Sequence, residues 1–134
     1  MDENLSANAL SSFNLSEASS IIELWNQFNL TNKKQSLDKS CIEMREAKTF
    51  SISGRKKLND ITKLFRSKPK EEQVNMMTEV LKSYQEEIDQ LSRRSKYCET
   101  TFFNLYKSLY ELPDPNICMN GLMNSKFIYF RIYM

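Results

Sequence analysis

The stretch Val74-Asn-Met-Met77-Thr-Glu-Val-Leu81-Lys-Ser-Tyr84-Gln-Glu-Glu-Ile88-Asp-Gln-Leu91 decides how this chain folds. Its apolar residues return at alternating steps of three and four, the period that keeps one stripe of an α-helix facing a partner helix. With Val74 as heptad position a, the a and d places run Val74, Met77, Leu81, Tyr84, Ile88, Leu91, Ser95, Cys98, Phe102, Leu105, Leu109 and Leu112, more than five heptads without a break. Only Ser95 and Cys98 are small or polar in that seam, and together they form one weak layer that favours a register at a cost in stability. The spacing predicts a coiled-coil helix over residues 70–112 that pairs two copies of the chain. The competing reading is the amphipathic helix of a small intramolecular bundle packed against a helix around Trp25. Flanking charges fit the coil: Arg94 at g reaches Glu99 at e of a parallel partner, and Asp89 and Arg93 are spaced i, i+4 with the acid first. From Phe102 to Tyr110 the stripe widens to take in Phe103, Tyr106 and Tyr110, more apolar surface than a two-stranded seam needs.

Upstream of this helix, Ser67-Lys68-Pro69-Lys70-Glu71-Glu72 reads as a break at 67–69 and a restart. Proline is excluded from a helix interior but tolerated in the first turn, and the two acids complement the helix dipole there. Whether the helices on either side fold back as a hairpin or continue as a kinked rod is left open by these residues. An N-terminal helix is predicted over 19–66, capped by Ser19 or Ser20, with Leu24, Trp25 and Phe28 on one face. Trp25 and Phe28 are its packing anchors. Leu37, Met44, Leu58, Ile61 and Phe65 keep heptad-like spacing beyond them, and Gly54 predicts fraying over 49–54. Residues 1–18, rich in Ser, Asn and Ala, read as a disordered leader.

Downstream, Leu112-Pro113-Asp114-Pro115 ends the helix, because each proline removes a backbone donor and pushes its predecessor out of the α region. Residues 113–134 lack heptads and carry few charges, so they read as an irregular tail. Its end, Phe127 to Met134, is β-prone and aggregation-prone. The fold class expected is therefore all-α, with long helices, a coiled-coil segment, a disordered N-terminus and an irregular C-terminal tail.

Composition narrows function by exclusion. The 134 residues include no histidine, two glycines and three cysteines, with a formal net charge of +2. Without histidine there is no Ser/His/Asp or Cys/His couple and no imidazole metal ligand, and two glycines are too few for a phosphate-cradling loop. No catalytic residue, cofactor site or metal site is expected, and the chain is read as non-enzymatic. Cys41, Cys98 and Cys118 are widely spaced and odd in number, which suits a reducing compartment. There is no secretory signal, and no run approaches a transmembrane length. The basic stretch Arg55-Lys56-Lys57, with Lys63, Arg66, Lys68 and Lys70 beyond it, is interrupted by Asp60 and followed by Glu71 and Glu72. It is read as a solvated helix face, with no direct nucleic-acid binding.

The segment Leu81-Lys-Ser-Tyr-Gln-Glu-Glu-Ile-Asp-Gln-Leu-Ser-Arg-Arg-Ser-Lys96, then Phe103-Asn-Leu-Tyr-Lys107 and Leu112-Pro-Asp-Pro115, closely resembles the amino-terminal region of the CASP family, products of the Cut-like homeobox locus. Trp25-Asn-Gln-Phe-Asn-Leu30 is similar to that family's opening Trp/Phe/Leu element. The resemblance spans residues 21 to 115. It implies a long coiled-coil protein on the cytosolic face of the Golgi, held by a carboxy-terminal transmembrane helix, with tethering partners in intra-Golgi retrograde vesicle transport. By that reading this chain, taken alone, is cytoplasmic, and membrane attachment belongs to a longer form. The alternative implied by the same region is the amino terminus of a Cut-like homeobox transcription factor, whose cut repeats and homeodomain are not among these residues. The family resumes heptads after Pro115, so residues 116–134 read as foreign to it, from an intron or a short splice form.

Overall fold

The computed structural model describes residues 15–134, side chains 125–129 excepted, and the described residues form four helices. These are α1 (Leu15–Phe28), α2 (Leu30–Ser67), α3 (Lys70–Tyr110) and α4 (Asn116–Tyr133). The all-α class and the long helices are as expected. The predicted leader lies outside the described residues except for 15–18, which are helical, and Ala18 is buried. Ser19 and Ser20 are thus inside α1 rather than at its cap, and the Ser20 hydroxyl donates to the Ser16 carbonyl at 3.1 Å.

The helix expected over 19–66 is two helices, because Asn29 takes φ 51°. Asparagine tolerates this left-handed conformation better than other non-glycine residues. Asn29 also serves both helices: its N–H donates to the Trp25 carbonyl at 3.2 Å and its Oδ1 accepts from the Asn32 N–H at 3.2 Å, capping α2. Replacing it with valine removes the cap and forces a β-branched residue to positive φ. We expect a loss of about 1–3 kcal/mol in denaturant unfolding, with Asn29→Gly losing only a fraction of that.

Residues 15–34 and 106–134 form one compact unit. Its core is Ala18, Ile21 and Cys118, with Trp25 partly buried against them. The Cys118 thiol points at the Ala18 carbonyl at 3.5 Å. Here the tail departs from expectation, since residues 116–133 are helical rather than irregular. The Asp114 carboxylate accepts from the Asn116 N–H at 2.9 Å, an Asx turn that starts α4 directly after the Pro113-Asp114-Pro115 break.

Residues 35–105 form the other unit, an antiparallel hairpin of α2 and α3. Lys68 and Pro69 separate the two helices. Pro69 offers its carbonyl to the N–H groups of Glu72 and Gln73, both at 3.0 Å, and the Gln73 side chain returns to the Phe65 carbonyl at 2.9 Å. Lys68 pairs with Glu72 at 3.6 Å. The choice between rod and hairpin is settled by contacts across the two helices: the Thr62 and Tyr84 hydroxyls share a hydrogen bond, and the Tyr97 hydroxyl donates to Glu43.

Between these two clasps the α2 face toward α3 is Met44, Ala47, Ser51, Gly54, Leu58 and Ile61, each buried or half-buried and again spaced by three and four. Helix α2 does not fray at 49–54; it runs unbroken through Gly54. That glycine is there for proximity, since a Cβ would land on the Glu87 carboxylate of α3. Alanine gains roughly 1 kcal/mol of helix propensity over glycine. We expect Gly54→Ala alone to be near neutral, because Glu87 must be displaced, and the full gain to appear only together with Glu87→Ala; a thermodynamic cycle from denaturant unfolding measures the difference.

Candidate protein interaction surface

Helix α3 carries two parallel stripes, and the hairpin uses the more polar one. In the heptad frame set by Val74, the half-buried residues of α3 from 76 to 94 are Met76, Ser83 and Gln90 at c and Val80, Glu87 and Arg94 at g. These face α2. A cavity of about 270 Å³ lies where small side chains meet, lined by residues including Ser53, Gly54 and Lys57 of α2 and Ser83, Glu86 and Glu87 of α3. Ser51 Oγ and Glu87 Oε1 are buried without a hydrogen-bond partner, Glu87 at the edge of this cavity. An unmet buried polar atom costs roughly 1–3 kcal/mol, so the middle of the hairpin is its weakest part.

The apolar seam read from the sequence lies elsewhere on the helix. Val74 is 69%, Leu81 62% and Ile88 55% exposed, and Met77, Tyr84 and Leu91 are exposed alongside them. Further along, Phe102 and Leu109 remain exposed, while Cys98, Leu105 and Leu112 are half-buried. The seam therefore faces outward over Val74–Leu91, and from Cys98 its d positions are half-buried while its a positions stay exposed. Position e of the same frame (Thr78, Gln85, Ser92, Glu99) borders it on one side and is exposed. Arg94, expected to pair with Glu99 of a partner, instead faces α2 beside Glu43, Met44 and Ala47. The border on that side comes from α2: Thr62 touches Tyr84, and Arg55 and Lys48 follow on the same row.

The anchors Trp25 and Phe28 sit together at the end of α1, rings edge to face at 5.6 Å between centroids. The indole N–H of Trp25 donates to the Pro113 carbonyl at 3.0 Å, fastening the Pro-Asp-Pro break to α1. The Lys33 ammonium lies over the Phe28 ring at 5.4 Å. Of the basic residues, Arg55, Lys56, Lys57, Lys63 and Arg66 are exposed along the last turns of α2. Among the described residues no group of three or more His, Cys, Asp or Glu side chains is placed to hold a metal, and no helix is long and apolar enough to cross a membrane.

A helical hairpin with an uncovered apolar stripe, joined in one chain to a unit fastened by a tryptophan, defines a helical arm with a candidate interaction surface. Its lineage is specific: residues 13–127 match the family described as CUX1-like, N-terminal tRNA-binding arm, and the chain belongs to that family. It is 39% identical over 94 residues to protein CASP of Saccharomyces cerevisiae and 34% identical over 96 residues to protein CASP of Homo sapiens. Those matches cover 70% and 72% of this chain and 14% of each relative. It is also 33% identical over 96 residues to homeobox protein cut-like 2 of Homo sapiens, 72% of this chain and 6% of that protein. The chain thus spans about a seventh of the CASP relatives it matches. No enzymatic family is indicated, and no solved structure matches.

Proposed function

We propose that this chain is a non-catalytic helical arm that self-associates through the outward stripe of α3 and, within a CASP-type protein, forms the amino-terminal part of a Golgi vesicle tether. The observation that carries this reading is the exposure of Val74, Leu81 and Ile88 at heptad spacing while the hairpin buries Ser51 and half-buries Ser83, Glu87 and Gln90. Water-exposed apolar stripes of this kind mark protein contacts. A coiled coil needs no substrate; it positions what is attached to its ends. The membrane attachment, the cytosolic Golgi location and the tethering partners follow from the resemblance to CASP and belong to the longer form. The same arm at the head of a Cut-like homeobox protein would pair two DNA-binding chains instead. Sedimentation of the full chain tests self-association. To separate the two settings, the tagged arm is followed in cells with and without a CASP-type membrane-anchored remainder: Golgi recruitment with that remainder supports the tether, and nuclear accumulation opposes it.

A second reading has its own support, the words "tRNA-binding arm" in the family's description. In this chain Arg55, Lys56, Lys57, Lys63 and Arg66 line the end of α2 near the turn, where a phosphate backbone would find cations. Fluorescence anisotropy with unfractionated tRNA decides it. Binding that falls steeply with salt, and is lost in Arg55→Glu, Lys56→Glu, Lys57→Glu, supports RNA recognition. No binding at low salt removes this reading.

A further inference from the structure

We propose that α4 lies along the surface of an anionic lipid bilayer and docks its unit there, separately from the outward stripe of α3. The contact between α1 and α4 is confined to the first turns of α4. Pro113 sits beside Trp25 and Cys118 beside Ala18, so the two helices run antiparallel. Ala18 is one turn in from the start of α1 at Leu15. Beyond Leu122, therefore, the described part of α1 no longer runs beside α4, and apolar side chains stand out in water. Met119, Met123, Phe130 and Met134 are exposed and return at steps of four, seven and four, a face turned away from Cys118. Leu122 and Tyr133 flank it, also exposed, and Ile117 and Ile132 are exposed on a further side.

Breadth and charge select the occupant. One partner helix covers a stripe about 100° wide. On α4 exposed apolar side chains stand on both sides of a polar line of Asn120, Asn124 and Arg131, a wider surface than that. A lipid phase has no such limit and wets an irregular apolar surface that a protein would have to match in shape. Charge points the same way: no Asp or Glu follows Asp114, and α4 carries Lys126 and Arg131. Among the described residues of this unit the acids are Glu17, Glu23, Glu111 and Asp114, all at or behind the first turn of α4, and the Asp114 carboxylate is occupied by the Asn116 N–H. The far end is cationic and holds Tyr133, a residue type that settles at the headgroup level, beside Phe130 for the acyl boundary. The helix does not span. It has 18 residues, about 27 Å, with both cations inside it, and no helix among the described residues is long and apolar enough to cross a membrane.

Flotation of the full chain with vesicles tests the contact, because bound protein rises with the lipid and self-aggregated protein does not. The chain should float with vesicles of equal parts phosphatidylcholine and phosphatidylserine, and several-fold less of it with phosphatidylcholine alone. Met123→Ser with Phe130→Ser lowers the bound fraction about tenfold and Arg131→Glu about threefold, with helix content followed by circular dichroism. Should the double change unfold α4, Arg131→Glu alone decides. Leu81→Gln with Ile88→Gln and Leu91→Gln floats as the parent does, so failure here and failure of self-association through α3 are read separately. No flotation on anionic vesicles, equal flotation on neutral ones, or binding that survives the α4 changes and is lost with the α3 changes overturns the proposal. So does an oligomer, formed without lipid, that Met123→Ser with Phe130→Ser dissociates, for then a second copy covers α4.

Discussion

A chain carrying Leu81→Gln, Ile88→Gln and Leu91→Gln is expected to be monomeric at every practical concentration while keeping its helix content and the melting temperature that the unmodified chain shows when diluted to monomer. The two halves of this result come from one observation: these side chains are exposed in the single chain, so the hairpin does not depend on them. Exposed substitutions usually change stability by no more than about 0.5 kcal/mol each, and glutamine keeps good helix propensity. Association is different. Burying a large aliphatic side chain contributes about 1.5–3 kcal/mol when it starts fully exposed. Three such residues in each of two chains, already partly covered, come to about 5–10 kcal/mol, enough to move a micromolar dimer beyond detection. Light scattering and a thermal melt on the same sample check both halves. Unchanged association would mean that the stripe is not the contact. Loss of helix with loss of association would mean that these residues hold the single chain together.

Replacing Trp25 with alanine is expected to cost about 3–4 kcal/mol and to free both α1 and α4. Its indole fills the small core of Ala18, Ile21 and Cys118 and donates to the Pro113 carbonyl. That core is too small to absorb the cavity. Trp25→Phe separates the two contributions, because it retains most of the packing but leaves the Pro113 carbonyl without its donor, at a cost of roughly 1–2 kcal/mol. Hydrogen exchange locates the effect: protection should fall in residues 15–28 and 116–133 and hold in 35–105. A uniform loss of protection would contradict the division into two units.

The helices themselves were legible because each boundary carries a chemical signal. Proline at 69 and the Pro-Asp-Pro of 113–115 each stop a helix, and the acids at 71 and 72 restart one. Asn29 was missed because nothing local separates an asparagine that caps from one that rides inside a helix. The tail was missed for a related reason. Residues 116–133 have no amphipathic period, and the helix draws on an Asx turn at Asp114 and on Cys118 against Ala18, a contact a hundred residues apart along the chain.

The interaction surface was half legible. The outward stripe is the strongest pattern in the sequence because it is nearly all large and apolar. The face of α3 toward α2 is a second three-four row built of Ser83, Glu87, Gln90 and Arg94, and polarity hid it. The matching row on α2 runs through Ser51 and Gly54, residues that read as weakness in a helix and serve as space between helices. A search for small residues at heptad spacing, alongside large ones, would have found it. The stripe on α3 and the row beneath it are therefore separate seams, the row for the hairpin and the stripe, on the proposed function, for a second copy.

Sedimentation equilibrium of the unmodified chain across a wide concentration range tests that claim most directly. The account predicts a reversible dimer, twice the 15.8 kDa of the single chain, that dissociates on dilution without loss of helix. A single species of 15.8 kDa at all concentrations would contradict it.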